Sequence, residues 1–265
     1  MGGSFLGSLF GDVFCINHKF ALFNFVSRNL KLKYRKSILG ILWTILIPAF
    51  SAAIYFLVFQ YVMKVQIPNY LVFILSGVIP WTFFQATITG GLESIVGNHF
   101  ILNKVPINVS IFPLSEAFTA AINMVLALPV LLVVMVAYSV WPTLGWFQIP
   151  LLCVALFIQA YSIGLTSAIL FVHLRDLRPI MSVILQVWFY LTPVVYSESM
   201  VPSQMQFIKI LNPVWFVFSG LHKITGGTGY LQAQELLILM AWTALLFLIA
   251  TMVYRFNRKS LVERL

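Results

Sequence analysis

Five cationic side chains crowd one short stretch of this chain: Arg28, Lys31, Lys33, Arg35 and Lys36. Guanidinium and ammonium groups at that density attract anions, and Arg adds paired donors that a phosphate group accepts bidentately. The net charge of +9 invites a nucleic-acid reading, but the charge follows the apolar runs described below and so reports topology rather than a phosphate-backbone footprint. Carboxylates are scarce. Glu116 falls near the inner end of an apolar run without a charged partner in that run, which reads as a helix-start residue near headgroups; Glu198 and Glu235 stand isolated in an outer segment. His18, His99, His173 and His222 lie in four different segments without ligand spacing, so no metal site is expected. The glycines Gly226, Gly227 and Gly229 are followed by Tyr230 and Leu231, with no Lys to reach a phosphate, so the chain is not expected to bind ATP through a P-loop. No catalytic residue is assigned, and Cys15 and Cys153 read as two structural thiols.

The elements that must position these residues are set by hydrophobicity. With 61% hydrophobic and 9% charged residues and a mean hydropathy of +0.97, the chain is far from the roughly 25% charged content of a soluble domain. It reads as an all-α integral membrane protein. Apolar runs at 37–63, 70–90, 114–140, 149–172, 179–196 and 236–256 each approach the ~20 residues that cross the ~30 Å hydrocarbon layer, the fifth being near the short limit. Six transmembrane helices are therefore expected.

Before the first run, Phe23, Val26, Leu30 and Tyr34 fall at helical spacing on one face, with Arg28, Lys31 and Arg35 opposite. This predicts an amphipathic helix lying on the membrane surface. The segments assigned to the inside carry thirteen of the sixteen Lys and Arg residues, leaving Lys64, Lys209 and Lys223 outside. Both termini are thus expected in the cytoplasm. Between the fifth and sixth runs, the apolar piece 207–221 is interrupted by Pro213. It is too short to cross, and reads as two short re-entrant helices held against protein. The expected organisation is a flexible leader over 1–18, a cytoplasmic interface helix over 19–36, a transmembrane domain over 37–256 and a cytoplasmic tail over 257–265.

The string RNLKLKYRKSILGILWTILIP at 28–48 resembles the opening of the ABC-2 type polysaccharide exporters, membrane subunits that export O-antigen, capsule and teichoic acid chains. The resemblance continues through SGVIPWTFF at 76–84, NKVPINVSIFP at 103–113, HLRDLRPIM at 173–181, LTPVVYS at 191–197 and LNP at 211–213. The chain departs from the usual pattern at Asn29, where Asp is common, and at Leu32 and Lys33. The resemblance implies a homodimer in the bacterial inner membrane, joined to two copies of a separate ATPase that carries the ATP and Mg; this chain would hold no cofactor of its own. It implies a lipid-linked polysaccharide as cargo, with a drug or antibiotic as the alternative cargo of related exporters.

On that resemblance, the aromatic residues Trp43, Trp81, Phe84, Tyr190 and Tyr196 are candidate channel contacts, since a sugar's C–H face stacks on a ring without a fixed hydrogen-bond pattern. Trp81, Tyr190 and Tyr196 lie near Pro80 and Pro193, where a span is expected to face a cavity; ordinary lipid-facing bulk is the competing reading for isolated rings. Arg28, Lys31 and Arg35 are candidates for gripping the carrier's pyrophosphate, or for plain anchoring to anionic lipid. Glu93, Lys104, Arg175 and Asp176 are candidates for contact with the ATPase, against the reading that 173–178 is an ordinary positive inside loop.

Overall fold

The computed structural model describes residues 19–35, 37–102 and 107–264. The leader over 1–18, Lys36, Lys104 and Leu265 lie outside the described residues. Helix α1 (Lys19–Tyr34) precedes α2 (Trp43–Phe56), whose last turns widen into a π-helix over Leu57–Val62. Then come α3 (Tyr70–Gly97), the single turn α4 (His99–Leu102), α5 (Ile111–Ala137) and α6 (Ile149–His173). The chain ends with α7 (Leu177–Leu191), the short α8 (Ile208–Leu211), α9 (Trp215–Thr225) and the long α10 (Ala233–Arg264).

Among the described residues five helices are long and apolar enough to cross a membrane: 42–62, 70–97, 111–137, 144–173 and 233–258. The fifth of the six expected runs gives only the 15-residue α7. At ~1.5 Å per residue it falls short of the hydrocarbon thickness. The reason is local: the helix stops at Thr192, before Pro193, which cannot donate the next backbone bond. Pro80, by contrast, sits inside α3 without ending it.

The core is organised around α3. In its most apolar stretch 67% of residues are buried, against 11% for 42–62, so α3 is the axis of the bundle and α2 its periphery. Helix α3 packs on α5 and α6, and α6 on α10. The α3–α6 approach depends on a glycine pair: a Cβ at Gly91 would meet Gly164 Cα at 3.2 Å, and one at Gly164 would meet the Thr87 carbonyl oxygen at 3.2 Å. Small residues let two backbones close in lipid, where no hydrophobic force drives helices together.

The segment after α7 follows the re-entrant expectation. Asn212, immediately before Pro213, ties the break together: its side-chain oxygen accepts from Trp188 Nε1 at 2.9 Å and from Val214 N at 3.2 Å, and its Nδ2 donates to Thr192 Oγ1 at 2.9 Å. Beyond it every residue of α9 but Lys223 is buried. A helix of this length inside the protein satisfies the rule that broken helices at membrane depth must be covered by protein.

Candidate functional site

At one end of the bundle α1 lies across the start of α5. Its buried face differs from the stripe expected of it. Val26 is buried and Phe25 packs edge-on against Phe112 at 5.1 Å, whereas Phe23 is 71% exposed. The rotation is set by polar side chains. Arg28 donates to Asn98 Oδ1 at 2.7 Å, at the end of α3; Asn29 donates to Glu116 Oε1 at 2.8 Å, on α5; and the Tyr34 hydroxyl donates to Asn123 Oδ1 at 2.6 Å and meets Thr44 on α2. Glu116 is therefore no lone helix-start carboxylate. It is the acceptor that docks α1, and an acid at position 29 would set two carboxylates face to face.

This docking leaves a groove with mixed polar and apolar walls. Two hollows of about 300 and 400 Å³ share Lys33, Ala86, Thr89, Ala120 and Asn123 as walls; Trp43, Thr44 and Gln85 line one, Asn29 and Glu116 the other. Burial around the Lys33 ammonium pulls its pKa below the ordinary lysine value, and Glu116 opposes that pull. Of the expected phosphate-binding residues, Arg28 is turned inward onto Asn98 and Phe25, while Lys31 and Arg35 are exposed. Lys33 is exposed as well, and it is the one of the three exposed cations that lines the groove. The expected stripe runs through Phe23, whereas the docked face runs through Phe25 and Val26.

Nearby, Glu93 on α3 and Arg178 on α7 form an ion pair at 2.7 Å, both well exposed. The partner of Glu93 is thus Arg178, within the same 173–178 motif as the expected Arg175 and Asp176. Arg175 sits over the Phe171 ring at 5.2 Å, and Asp176 precedes the first turn of α7.

The aromatic candidates divide. Trp81 and Phe84 are 4% and 0% exposed and pack among Phe189, Phe218 and Trp188. Rings with so little free surface have nothing to offer a passing polymer, so their assignment as channel contacts is corrected: they anchor α7 and α9 to α3. Trp43 and Tyr190 remain 43% and 60% exposed, and the Tyr196 hydroxyl donates to the Tyr190 carbonyl at 2.9 Å.

The opposite end of the bundle holds residues that sequence reasoning missed. His222 on α9 is buried. Its Nε2–H donates to the Pro193 carbonyl at 2.9 Å, its Nδ1 lies 3.0 Å from Ser76 Oγ, and its ring stacks on Phe73 at 3.7 Å. A Cβ at Gly77 would meet the Val194 carbonyl oxygen at 2.2 Å. Glu198 and Glu235, isolated in sequence, meet on Lys223 at 3.5 and 2.6 Å. Glu198 also accepts from Trp215 Nε1 at 3.3 Å and Ser219 Oγ at 3.1 Å. Burial disfavours its charge, but Lys223, these hydrogen bonds and Lys209 outweigh it and hold the carboxyl below its ordinary pKa. The only sequence signal was the spacing of Ser219 and Lys223 on one short helix.

Long apolar helices, with a basic helix docked across one end, define a multi-pass helical membrane protein. The chain belongs to the ABC-2 type transporter family, whose sequence pattern matches residues 21–225. It is 33% identical to the O-antigen export system permease protein RfbA of Myxococcus xanthus over 246 residues, covering 91% of this chain and 94% of that protein. It is also 33% identical to RfbA of Klebsiella pneumoniae over 189 residues, 71% and 73% of the two chains. With the polysialic acid transport protein KpsM of Escherichia coli it shares 22% identity over 239 residues, 89% and 92% of the two.

Proposed function

We propose that this chain is the membrane subunit of an ATP-driven exporter that carries a lipid-linked, O-antigen-like polysaccharide on a polyprenyl pyrophosphate across the bacterial inner membrane. Two copies would form the path, with two copies of a separate ATPase binding the ATP and Mg, and both termini in the cytoplasm. The names borne by its relatives support a polysaccharide cargo. The observation that carries the reading is the groove beside α1, where the exposed Lys33 lines a hollow of mixed polar and apolar walls formed in part by the peripheral helix α2.

In this reading an anionic carrier head enters the groove from the lipid side. Lys33 meets its charge, Thr44, Thr89 and Asn123 offer hydrogen bonds, and the exposed Lys31 and Arg35 hold the inner surface at about 1 kcal/mol each. The glycan then follows the exposed rings of Trp43 and Tyr190 and the half-buried Tyr196, which bind weakly and let it slide. The Glu93–Arg178 pair, with Arg175 and Asp176, faces the ATPase and transmits its motion, and Lys104 is a further candidate for that contact.

ATP hydrolysis tests this. The purified chain alone should hydrolyse no ATP, and activity should appear only when its ATPase partner is added. Hydrolysis by the chain alone, surviving removal of contaminants, would overturn the reading.

A further inference from the structure

We infer that the hollow at the end of the bundle opposite α1 is a binding site for a neutral, hydroxyl-rich sugar unit. The inference deepens the export reading and rests on it, since that reading places this end where the glycan emerges.

The hollow holds about 730 Å³ between the 63–69 loop, the turn after α7 and helix α9. That is within the size range of small-ligand sites. Its walls combine apolar surface with hydroxyl, amide and charged side chains, among them Gln66, Asn69, Ser199 and Thr228. Lys64, Gln66 and Asn69 are exposed and have no side-chain hydrogen bond among the described residues. They are free to serve a ligand. Their loop is set by backbone at both ends, with Lys64 at φ 53° and Asn69 at φ 49°.

Charge selects the ligand class. Lys223 is neutralised by its contacts with Glu198, which lines the hollow, and with Glu235 behind it, so Lys64 is left as the one lining cation without a carboxylate contact among the described residues, too little charge to select an ion by itself. An apolar occupant would strip water from Gln66, Asn69 and Lys64 and return no hydrogen bonds. A sugar hydroxyl both donates and accepts, and it suits the mixture present. The ionised Glu198 keeps acceptor capacity beyond Trp215 and Ser219, because a carboxylate offers about four acceptor positions.

The test is saturation-transfer NMR on the purified full chain in a sugar-free detergent. The probes are methyl mannoside, methyl galactoside and methyl N-acetylglucosaminide, with N-acetylneuraminic acid as a charged comparison. At least one neutral pyranoside should bind, and Q66A combined with Asn69→Gly should weaken it about tenfold, as expected from losing two hydrogen-bonding side chains. Glycine suits the left-handed backbone at 69, so the thermal transition should not move; if the pair unfolds, Q66A alone gives the readout. Absence of pyranoside binding, undiminished binding in the variant, or preference for the charged sugar would overturn the site. Surface glycan is measured with the same proteins in a strain lacking the gene. If wild type restores export yet binds no pyranoside, the site falls and the export reading stands; if wild type restores no export, the export reading falls whatever the hollow binds.

Discussion

Replacing Gly77 with alanine should loosen the junction between α3, the turn at Pro193 and helix α9. The added Cβ would sit 2.2 Å from the Val194 carbonyl oxygen, where ordinary contact begins at 3.4 Å, and 3.0 Å from His222 Cε1. The turn must therefore retreat by about 1 Å. It has no slack. Tyr70 donates to the Val195 carbonyl at 2.6 Å, His222 donates to the Pro193 carbonyl at 2.9 Å, and Val194 is fully buried. Overpacking costs about 1–3 kcal/mol, and a buried hydrogen bond left unmade costs a similar amount. Alanine's better helix propensity returns at most about 1 kcal/mol. A net loss near 3 kcal/mol corresponds to about 6–12 °C in Tm for a chain of this size. Thermal unfolding of the purified protein reads this directly, with Gly97→Ala as control, since a Cβ there meets nothing within 4 Å. A Gly77→Ala protein that melts within about 2 °C of wild type would refute the packing argument.

Reversing one member of the exposed Glu93–Arg178 pair should change stability by less than about 1 kcal/mol yet reduce export, and the swapped pair E93R with R178E should restore it; if single reversals export normally, the pair has no coupling role. Lys33→Met should abolish export more completely than Lys31→Met with insertion unchanged, as judged by surface glycan; equal effects would reduce the groove to an anchor. Replacing Arg28 and Arg35 together with Lys should leave export largely intact, because Arg28 is occupied by Asn98, whereas loss of export with normal assembly would restore Arg28 as the pyrophosphate clamp. Glu198 has a folded pKa below its ordinary 4.5, so its contribution to stability is complete above that pH and is lost as pH falls through the lowered value. Unfolding scans in acid should show this loss in wild type and its absence in Glu198→Gln.

Helix content and most run positions were legible in the sequence because apolar length alone dictates a membrane-crossing helix. The break at Pro213 was legible for the same reason, since Trp215, Phe216 and Phe218 could not be left in water. Side-chain partners were not. Asn29 and Glu116 are 87 positions apart and become neighbours only when α1 crosses α5. Glu198, Lys223 and Glu235 meet because α9 folds back under the turn after α7. For Trp81 the adjacent proline suggests a cavity, whereas α3 runs through Pro80 and buries both Trp81 and Phe84 at the bundle axis.

Deleting the gene in its native cell and measuring surface polysaccharide tests the central claim most directly. The account predicts that the polymer disappears from the surface, accumulates inside on its lipid carrier, and returns when the chain is supplied on a plasmid together with its ATPase. Unchanged surface polysaccharide in the deletion, accompanied by new sensitivity to small amphiphilic drugs, would contradict it and mark the chain as a drug-exporting permease.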